Sequence, residues 1–262
     1  MSEPPWFPTA TNYRGKPVGV WLGIAFMGVV LLEALAVTLV SLSVRGSLTQ
    51  WGRRLLWMVV GVLAVFLAGL YDDYRPARTR GLVRQVRAVF AGQLTPGIVK
   101  LVVIVLAALL VVWALGARGL AYALGVPVVA ASANFWNLLD VMPGRALKYF
   151  MPATLALAIA DGHAAFITIA AAGLGAGAVA LLFDIRERAM LGDSGSNVLG
   201  FIVGIGLVKV LTVTGLAVAL AVLVAIHVAA ETVTLSRLIQ SSPPLRWFDR
   251  VGRIPFDPPE QG

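Results

Sequence analysis

Eight long apolar stretches constrain this chain more than any other feature of its sequence. A bilayer core of about 30 Å is crossed by about 20 mainly apolar residues in a helix. With 59% hydrophobic and 13% charged residues among 262, the sequence predicts an all-α polytopic membrane protein with about eight transmembrane helices. By residue number the stretches are 18–44, 55–71, 98–115, 120–139, 147–160, 164–183, 198–211 and 216–238. The fifth and seventh stretches are short, and Pro152 interrupts the fifth. For either stretch, a tilted, a broken and a partly re-entrant segment are alternatives that the sequence leaves open.

The spacing of the stretches is even, without a periodic repeat or a low-complexity linker, which predicts a single domain over residues 1–262. The first stretch follows a polar, proline-containing start instead of a short basic segment, so we expect no cleaved signal peptide. The chain has no cysteine and forms no disulfide.

The basic residues are divided unequally between the two faces of the membrane. Eight spans place both termini on one face, and most of the 21 Lys and Arg residues fall there, which predicts cytoplasmic termini. The acidic residues gather on the same face, and the outer loops keep only Asp161. Because carboxylates contribute little to orientation, their gathering predicts a site where a charged, water-soluble substrate meets something in the lipid.

Asp72 and Asp73 close the second stretch in the sequence LYDDYRP and precede the longest basic loop. One interpretation is a solvated helix end beside a loop that binds lipid headgroups. The other is a site in which the paired carboxylates hold a hard cation or take a proton, while arginines such as Arg75 receive phosphate.

A second polar group lies near the cytoplasmic end of the fourth stretch. Asn134, Asn137 and Asp140 are spaced three residues apart and therefore share one helix face. They are either ordinary helix-to-helix hydrogen-bonding groups with a capping aspartate, or a polar wall that recognises a nucleobase or hydroxyl groups.

A third group is the sequence GDSGS before the seventh stretch. Asp193 is free there to bind a metal. A candidate anion nest is formed by the helix N-terminus and the backbone N–H groups of Gly192, Asp193, Ser194, Gly195 and Ser196. The alternative is plain N-capping by Asp and Ser.

Other polar residues within or beside the spans are weaker candidates. His227 and Glu231 are four apart and form a candidate buried pair, Glu33 lies inside the first span, and His163 follows Asp161 in an outer turn. Pairing and helix packing are the simpler explanations, and a proton relay is the functional one.

Three ordered stretches, LYDDYRP, NFWNLLDVMPG and MLGDSGSNVLG, resemble the polyprenyl-phosphate N-acetylhexosamine-1-phosphate transferase superfamily. The opening TNYRGKPVGVWLG is similar to an Asn-Tyr-Arg-Gly-Lys loop of that family, and AAETVTLSRLI is similar to a segment of a late family helix. The resemblance covers nearly the whole chain.

The resemblance implies that Asp72 and Asp73 are the paired acids near the lipid phosphate, one of them the base. It implies Mg²⁺ as the cofactor, with Asp193 as its ligand, and we add Asp72 as a second ligand.

For the nucleotide sugar, the resemblance implies that Asn137 and Asp140 help to bind it and that Lys16 approaches the nucleotide. The chain departs from the family pattern where Val141 to Gly144 lack a second loop acid and where LRWFDRVGRIP lacks a histidine cluster. It also lacks the family's first and last spans. The segment LRWFDRVGRIP retains Asp249. As a hypothesis we advance Arg250 or Arg253, with Arg253 preferred, as a diphosphate ligand in place of the histidines.

The resemblance thus implies transfer of a sugar 1-phosphate from a UDP-sugar to undecaprenyl phosphate, with release of UMP, at the cytoplasmic face of a bacterial-type cytoplasmic membrane. The expected partners are the UDP-sugar, polyprenyl phosphate and membrane lipids, without nucleic acid, and a homodimer stays open. Two alternatives remain: a catalytically silent relative that binds polyprenyl phosphate or an envelope partner, and a transporter with an intramembrane relay of Glu33, Lys209, His227 and Glu231.

Overall fold

A computed structural model of the chain describes residues 7–45, 49–75, 95–232 and 235–254. Over these residues it forms a short antiparallel hairpin followed by ten helices. The strands are β1 Thr9–Thr11 and β2 Pro17–Gly19. The helices are α1 Leu22–Arg45, α2 Gln50–Tyr74, α3 Pro96–Ala114, α4 Gly119–Leu139, α5 Arg145–Asp161, α6 Ala164–Asp184, α7 Gly192–Val210, α8 Val213–Thr232, α9 Leu235–Ser241 and α10 Pro243–Arg250.

Local sequence sets where several of these helices begin and end. The hydroxyl of Thr49 accepts a hydrogen bond from the Gly52 N–H, 3.3 Å away, at the start of α2. Thr95 caps α3 in the same way ahead of Pro96. Gly162, with φ of 64°, ends α5 in the left-handed conformation that favours glycine.

Eight helices cross the bundle, as the sequence predicted. Seven of the described helices are long and apolar enough to span a membrane. The eighth, α5, has 17 residues and runs unbroken through Pro152 between the same two ends. Of the alternatives left open for this stretch, a broken segment is therefore excluded. The eighth apolar stretch is divided between α8 and α9, and the seventh begins earlier than expected, because GDSGS forms the first turn of α7.

Helix α7 lies at the centre of the bundle, in contact with α1, α2, α4 and α5. Its glycines allow main chains to approach closely. A Cβ atom at Gly200 would lie 2.7 Å from the Cα atom of Ala133, and one at Gly204 would lie 2.7 Å from the Cα atom of Val129. The crossing of α4 and α7 is therefore a contact of main chain against main chain.

The bundle has two chemically different ends. The site end holds the end of α2, the end of α4 and the start of α7. The far end holds the start of α2 and the α5–α6 turn, where Asp161 lies 3.3 Å from the Lys209 ammonium group at the end of α7.

The hairpin and the described C-terminal residues lie together at the site end. The Met190 N–H donates to the Gly19 carbonyl at 2.9 Å, next to the start of α7. The Arg14 guanidinium donates to the Ile254 carbonyl at 3.0 Å. Both described ends of the chain thus lie on one face of the bundle, as an even number of crossings requires.

Candidate active site

The site is built where three helices bring charged side chains to one point. Asp72 at the end of α2 and Asp193 at the start of α7 contact the same ammonium group, that of Lys100 on α3. The Lys100 Nζ atom lies 2.6 Å from Asp72 Oδ2 and 2.5 Å from Asp193 Oδ2. Asp72 and Lys100 are buried, at 8% exposure each, so the pairing offsets the cost of removing their charges from water.

Asp73 has a different role from its neighbour Asp72. Its Oδ1 atom accepts a hydrogen bond from the Asp193 N–H at 2.8 Å, and its Oδ2 atom accepts one from the Ser194 N–H at 2.9 Å. The carboxylate therefore caps the N-terminus of α7, where unpaired N–H groups and the helix dipole favour negative charge. Asp73 fixes α7, and with it Asp193, against the end of α2.

Helix α4 completes the wall of the site. The Asn137 side chain lies beside the Asp193 carboxylate and stabilises its negative charge, and its Oδ1 atom lies 3.1 Å from the Ser196 hydroxyl. That hydroxyl also lies 2.7 Å from the Gly192 carbonyl within α7. Asn137, Asp193 and Ser196 thus form one polar group between α4 and α7.

Asp140 follows directly after α4 and faces a narrow cleft beside this group. The cleft is also lined by Asn12 and Tyr13 of the hairpin, and by Asp184. Burial raises the pKa of Asp140 well above its ordinary value, and the negative charges of Asp184 and Asp193 raise it further. The raised pKa favours the protonated form of Asp140 over that of an aspartate in water.

Several predicted residues do not face the site as the sequence suggested. The Ser194 side chain is fully buried beside α1, and a Cβ atom at Gly195 would lie 3.0 Å from the Cα atom of Gly23. The N–H groups of Asp193 and Ser194, two of those expected to form an anion nest, already bind a side chain of the protein itself, that of Asp73.

The remaining predicted residues lie at the rim or away from the site. Lys16 is exposed in the hairpin turn, and the Arg75 guanidinium lies 5.7 Å from the centre of the Tyr71 ring. Asn134 lies on α4, half-buried. The basic residues predicted at 78–87 lie outside the described residues.

Arg253 is engaged in a structural cluster, which argues against the prediction that it binds diphosphate. It donates to the Pro143 carbonyl at 3.0 Å and pairs with Asp249. Arg145, fully buried, donates to both Asp249 oxygens at 2.7 and 3.0 Å. Lys148 donates to the Val251 carbonyl at 3.1 Å, just after α10. The cluster secures α10 to the start of α5.

Asp249 is held in its ionised form by this cluster. Burial alone raises the pKa of a carboxyl group, but here the hydrogen bond from Arg145 and the charges of Arg145, Arg253 and Lys148 hold the pKa of Asp249 below its ordinary value.

Three residues of the alternative proton relay, Glu33, Lys209 and His227, have side chains within the described part of the chain, and no contact joins these three. Lys209 pairs with Asp161 at the far end. The His227 ring contacts the Leu223 carbonyl of its own helix at 2.7 Å, and Glu33 is half-buried on α1. The side chain of Glu231 lies outside the described residues.

Lys100 is the site residue that sequence reasoning missed. It is the single charged residue of α3, and an ionisable residue inside a membrane span is by default a functional candidate with a charged partner. That signal was present in the sequence, but it does not identify Asp72 and Asp193 as the partners, because they lie 28 and 93 positions away along the chain.

The donor set fits a hard divalent cation. Within the described residues no three acidic or histidine side chains group as a complete metal site. Mg²⁺, however, is commonly held by one or two carboxylates together with substrate phosphate. Asp72 and Asp193 already direct one oxygen each at a single cationic atom, which is the arrangement such a site needs.

Comparison with known proteins identifies the family of the chain. No curated protein sequence matches the chain. The model of the family described as glycosyl transferase family 4 matches residues 55–212, more than half of the chain. The matched region contains Asp72, Lys100, Asn137 and Asp193. The chain therefore belongs to glycosyl transferase family 4, the family of polyprenyl-phosphate hexosamine-1-phosphate transferases.

Proposed function

We propose that this multi-pass membrane enzyme transfers a sugar 1-phosphate of the N-acetylhexosamine type from a UDP-sugar to undecaprenyl phosphate. An oxygen of the lipid phosphate bonds to the sugar-bearing phosphorus. The bond from that phosphorus to the bridging oxygen of the donor diphosphate breaks, and the bridging oxygen leaves as part of UMP. Family membership supports a polyprenyl-phosphate sugar-1-phosphate transferase in general. The donor nucleotide, the lipid and the sugar type are the parts that we propose.

The observation that carries the proposal is the convergence of Asp72 and Asp193 on the Lys100 ammonium group. Two phosphate-bearing substrates repel each other by about 4 kcal/mol at 4 Å and an effective dielectric constant of 20. A site for their reaction must supply positive charge at the point of contact. Lys100 offers one such charge, and the two carboxylates offer ligands for another.

In this proposal Asp72 and Asp193 hold Mg²⁺. When bound, the ion would neutralise charge on the diphosphate and favour departure of the UMP oxygen. Lys100 would then lie beside both carboxylates, where its ammonium group offsets the charge of the incoming lipid phosphate. The lipid phosphate needs little further deprotonation near neutral pH, because the second pKa of a phosphate monoester is about 6.

The other residues act by binding and positioning. Asp73 is a positioning residue, because both of its oxygens are used on the backbone of α7. Asn137 and Ser196 orient Asp193 and present amide and hydroxyl groups to the donor. The raised pKa of Asp140 favours its protonated form, which donates a hydrogen bond to the nucleotide sugar.

The exposed basic residues at the rim complete the proposed site. Lys16 and Arg75 are exposed at the site end, where they attract the anionic donor and lipid headgroups. We place this end at the cytoplasmic face of a bacterial-type cytoplasmic membrane, because most Lys and Arg residues of the loops lie on that side.

The direct test is UMP release by purified protein in neutral detergent, with undecaprenyl phosphate, Mg²⁺ and a panel of UDP-sugars. We expect lipid- and metal-dependent UMP with at least one N-acetylhexosamine donor. Asp193→Asn removes one of the two converging carboxylates and should abolish turnover. Glu33→Gln, which neutralises a half-buried carboxyl on α1 outside the site, is the matched control and should retain it.

Folded protein that releases no UMP with any donor would contradict the proposal and favour the silent, lipid-binding relative. Activity that survives Asp193→Asn but disappears in Glu33→Gln would favour the relay of a transporter. Folding of each variant is checked by gel filtration and by the thermal unfolding midpoint.

A further inference from the structure

A second cavity lies at the far end of the bundle, away from the residues of the proposed reaction. Its volume is about 330 Å³. It is enclosed by the start of α2, the α5–α6 turn and the end of α7. The lining residues are Thr49, Gln50, Trp51, Arg54, Met58, His163, Ala164, Ala165 and Lys209.

The charged groups around this cavity are mostly basic. The Asp161 Oδ1 atom lies 3.3 Å from the Lys209 ammonium group and 3.2 Å from the His163 Nδ1 atom. Among the described residues, no carboxylate lies within ion-pair distance of Arg54. The Asp161 carboxylate is thus shared by Lys209 and His163. It does not neutralise the positive charge of the Arg54 guanidinium.

Two further features favour an anion at the same place. Helix α6 begins at Ala164 beside the cavity, and its N-cap residue His163 provides no side-chain cap. The first N–H groups of a helix are unpaired within it, and the dipole makes that end positive. Arg54, Lys209 and the start of α6 therefore present positive charge to one cavity.

The cavity also has an apolar wall. Trp51, Met58, Ala164 and Ala165 line it beside the charged groups. Trp51 lies in the first turn of a membrane-crossing helix, the level at which tryptophan is enriched at membrane–water interfaces. A wall of this kind fits the glycerol and first acyl carbons of a lipid better than it fits a fully hydrated ion.

We propose that this cavity binds a phosphate group of an anionic lipid in the leaflet at the far end. Arg54 and Lys209 bind the phosphate oxygens, and Trp51 packs against the glycerol backbone. The site is separate from the proposed transferase chemistry, and its occupancy does not depend on a nucleotide sugar.

The test is equilibrium titration of the whole protein in neutral detergent with short-chain phosphatidylglycerol. Phosphatidylcholine of the same chain length supplies the phosphate without net charge, and potassium phosphate supplies the anion without lipid. Arg54→Gln should weaken phosphatidylglycerol binding about tenfold, the size of one lost charge-assisted hydrogen bond. Arg54→Lys, which keeps the charge, should recover most of the affinity.

Arg53 provides the matched control, because it carries the same charge one residue away, is exposed, and does not line the cavity. Arg53→Gln should leave the affinity unchanged. Equal loss in both variants would overturn the proposal, since it would show only attraction to general surface charge.

The two probes identify the source of the phosphate. Phosphatidylglycerol binding that depends on Arg54 supports a lipid site. Potassium phosphate that binds alone, with the same dependence on Arg54, supports the anion site but assigns it to a soluble ligand. Absence of binding by both probes, with protein that remains folded by its unfolding midpoint, would overturn the proposal.

Discussion

The Asp73 carboxylate accepts a hydrogen bond from the backbone N–H of Asp193 at a distance of 2.8 Å. This bond joins the last turn of α2 to the first turn of α7, and it makes one acidic residue the structural support of another. The neighbouring carboxylate of Asp72 does not contact α7 in this way but pairs with the Lys100 ammonium group. Two adjacent aspartates thus perform different tasks, and separate substitutions should distinguish them.

Substitution of Asp73 should act mainly through stability. Asp73→Ala removes a cap that satisfies two N–H groups, and loss of a helix cap typically costs about 1 kcal/mol, up to about 2. We expect a lower thermal unfolding midpoint, and reduced turnover because α7 is less well fixed. Asp72→Asn should abolish turnover with a smaller change in the midpoint. Equal midpoints for Asp73→Ala and the unmodified protein would contradict the capping role.

Lys100 should compete with a divalent cation for the two carboxylates. Lys100→Met removes a positive charge that lies 2.5 Å from Asp193 and 2.6 Å from Asp72. We expect tighter Mn²⁺ binding, measured by electron paramagnetic resonance without substrate, together with loss of UMP release. In Asp193→Asn the Mn²⁺ affinity should instead fall. Weaker Mn²⁺ binding in Lys100→Met would show that the carboxylates need the lysine to form the site.

Acid should weaken the cluster that holds α10. The pKa of Asp249 is lower in the folded protein than its ordinary value, so the contribution of this group to the free energy of unfolding is complete above the ordinary value, about 3.8. It is lost as the pH falls through the folded pKa. We expect the thermal unfolding midpoint to decrease as the pH is lowered below about 4. In Asp249→Asn this decrease should be less steep.

At neutral pH the same variant should be less stable. Arg145 is fully buried and donates to both Asp249 oxygens, and breaking a buried ion pair by removal of one partner costs about 3 kcal/mol or more. A midpoint in Asp249→Asn that matches the unmodified protein at pH 7 would contradict this interpretation of the cluster.

The proposed orientation has a direct test, because the chain has no cysteine. Single cysteines at Lys16 and Arg53, both exposed, report on the site end and the far end respectively. In intact cells we expect a membrane-impermeant maleimide to label Arg53→Cys, and to label Lys16→Cys only after permeabilisation. The reverse pattern would place the site end outside and exclude a cytosolic donor.

Periodicity and composition predicted the number of crossings and the grouping of acids at one end, because both follow from the cost of burying charge and backbone in lipid. They did not predict the different roles of Asp72 and Asp73, two adjacent aspartates that point in different directions from the end of α2. They also did not pair Arg145 with Asp249 across 104 positions, since that contact depends on how α10 folds back.

Other differences come from local geometry that composition does not encode. GDSGS was expected to precede a helix and instead begins one, because Asp73 supplies the cap from another helix. Arg253 was predicted to bind substrate because the family histidines are missing nearby, whereas the nearby Asp249 and the Pro143 carbonyl engage it.

The close crossing of α4 and α7 at Gly200 and Gly204 places Asn137 and Ser196 by main-chain contact. The spacing between these two site residues is thus set mainly by the approach of two main chains. A Cβ atom added at Gly200 would lie 2.7 Å from the Cα atom of Ala133 and would push α4 away from α7. The distance between Asn137 and Ser196 is therefore sensitive to a single methyl group placed at this crossing.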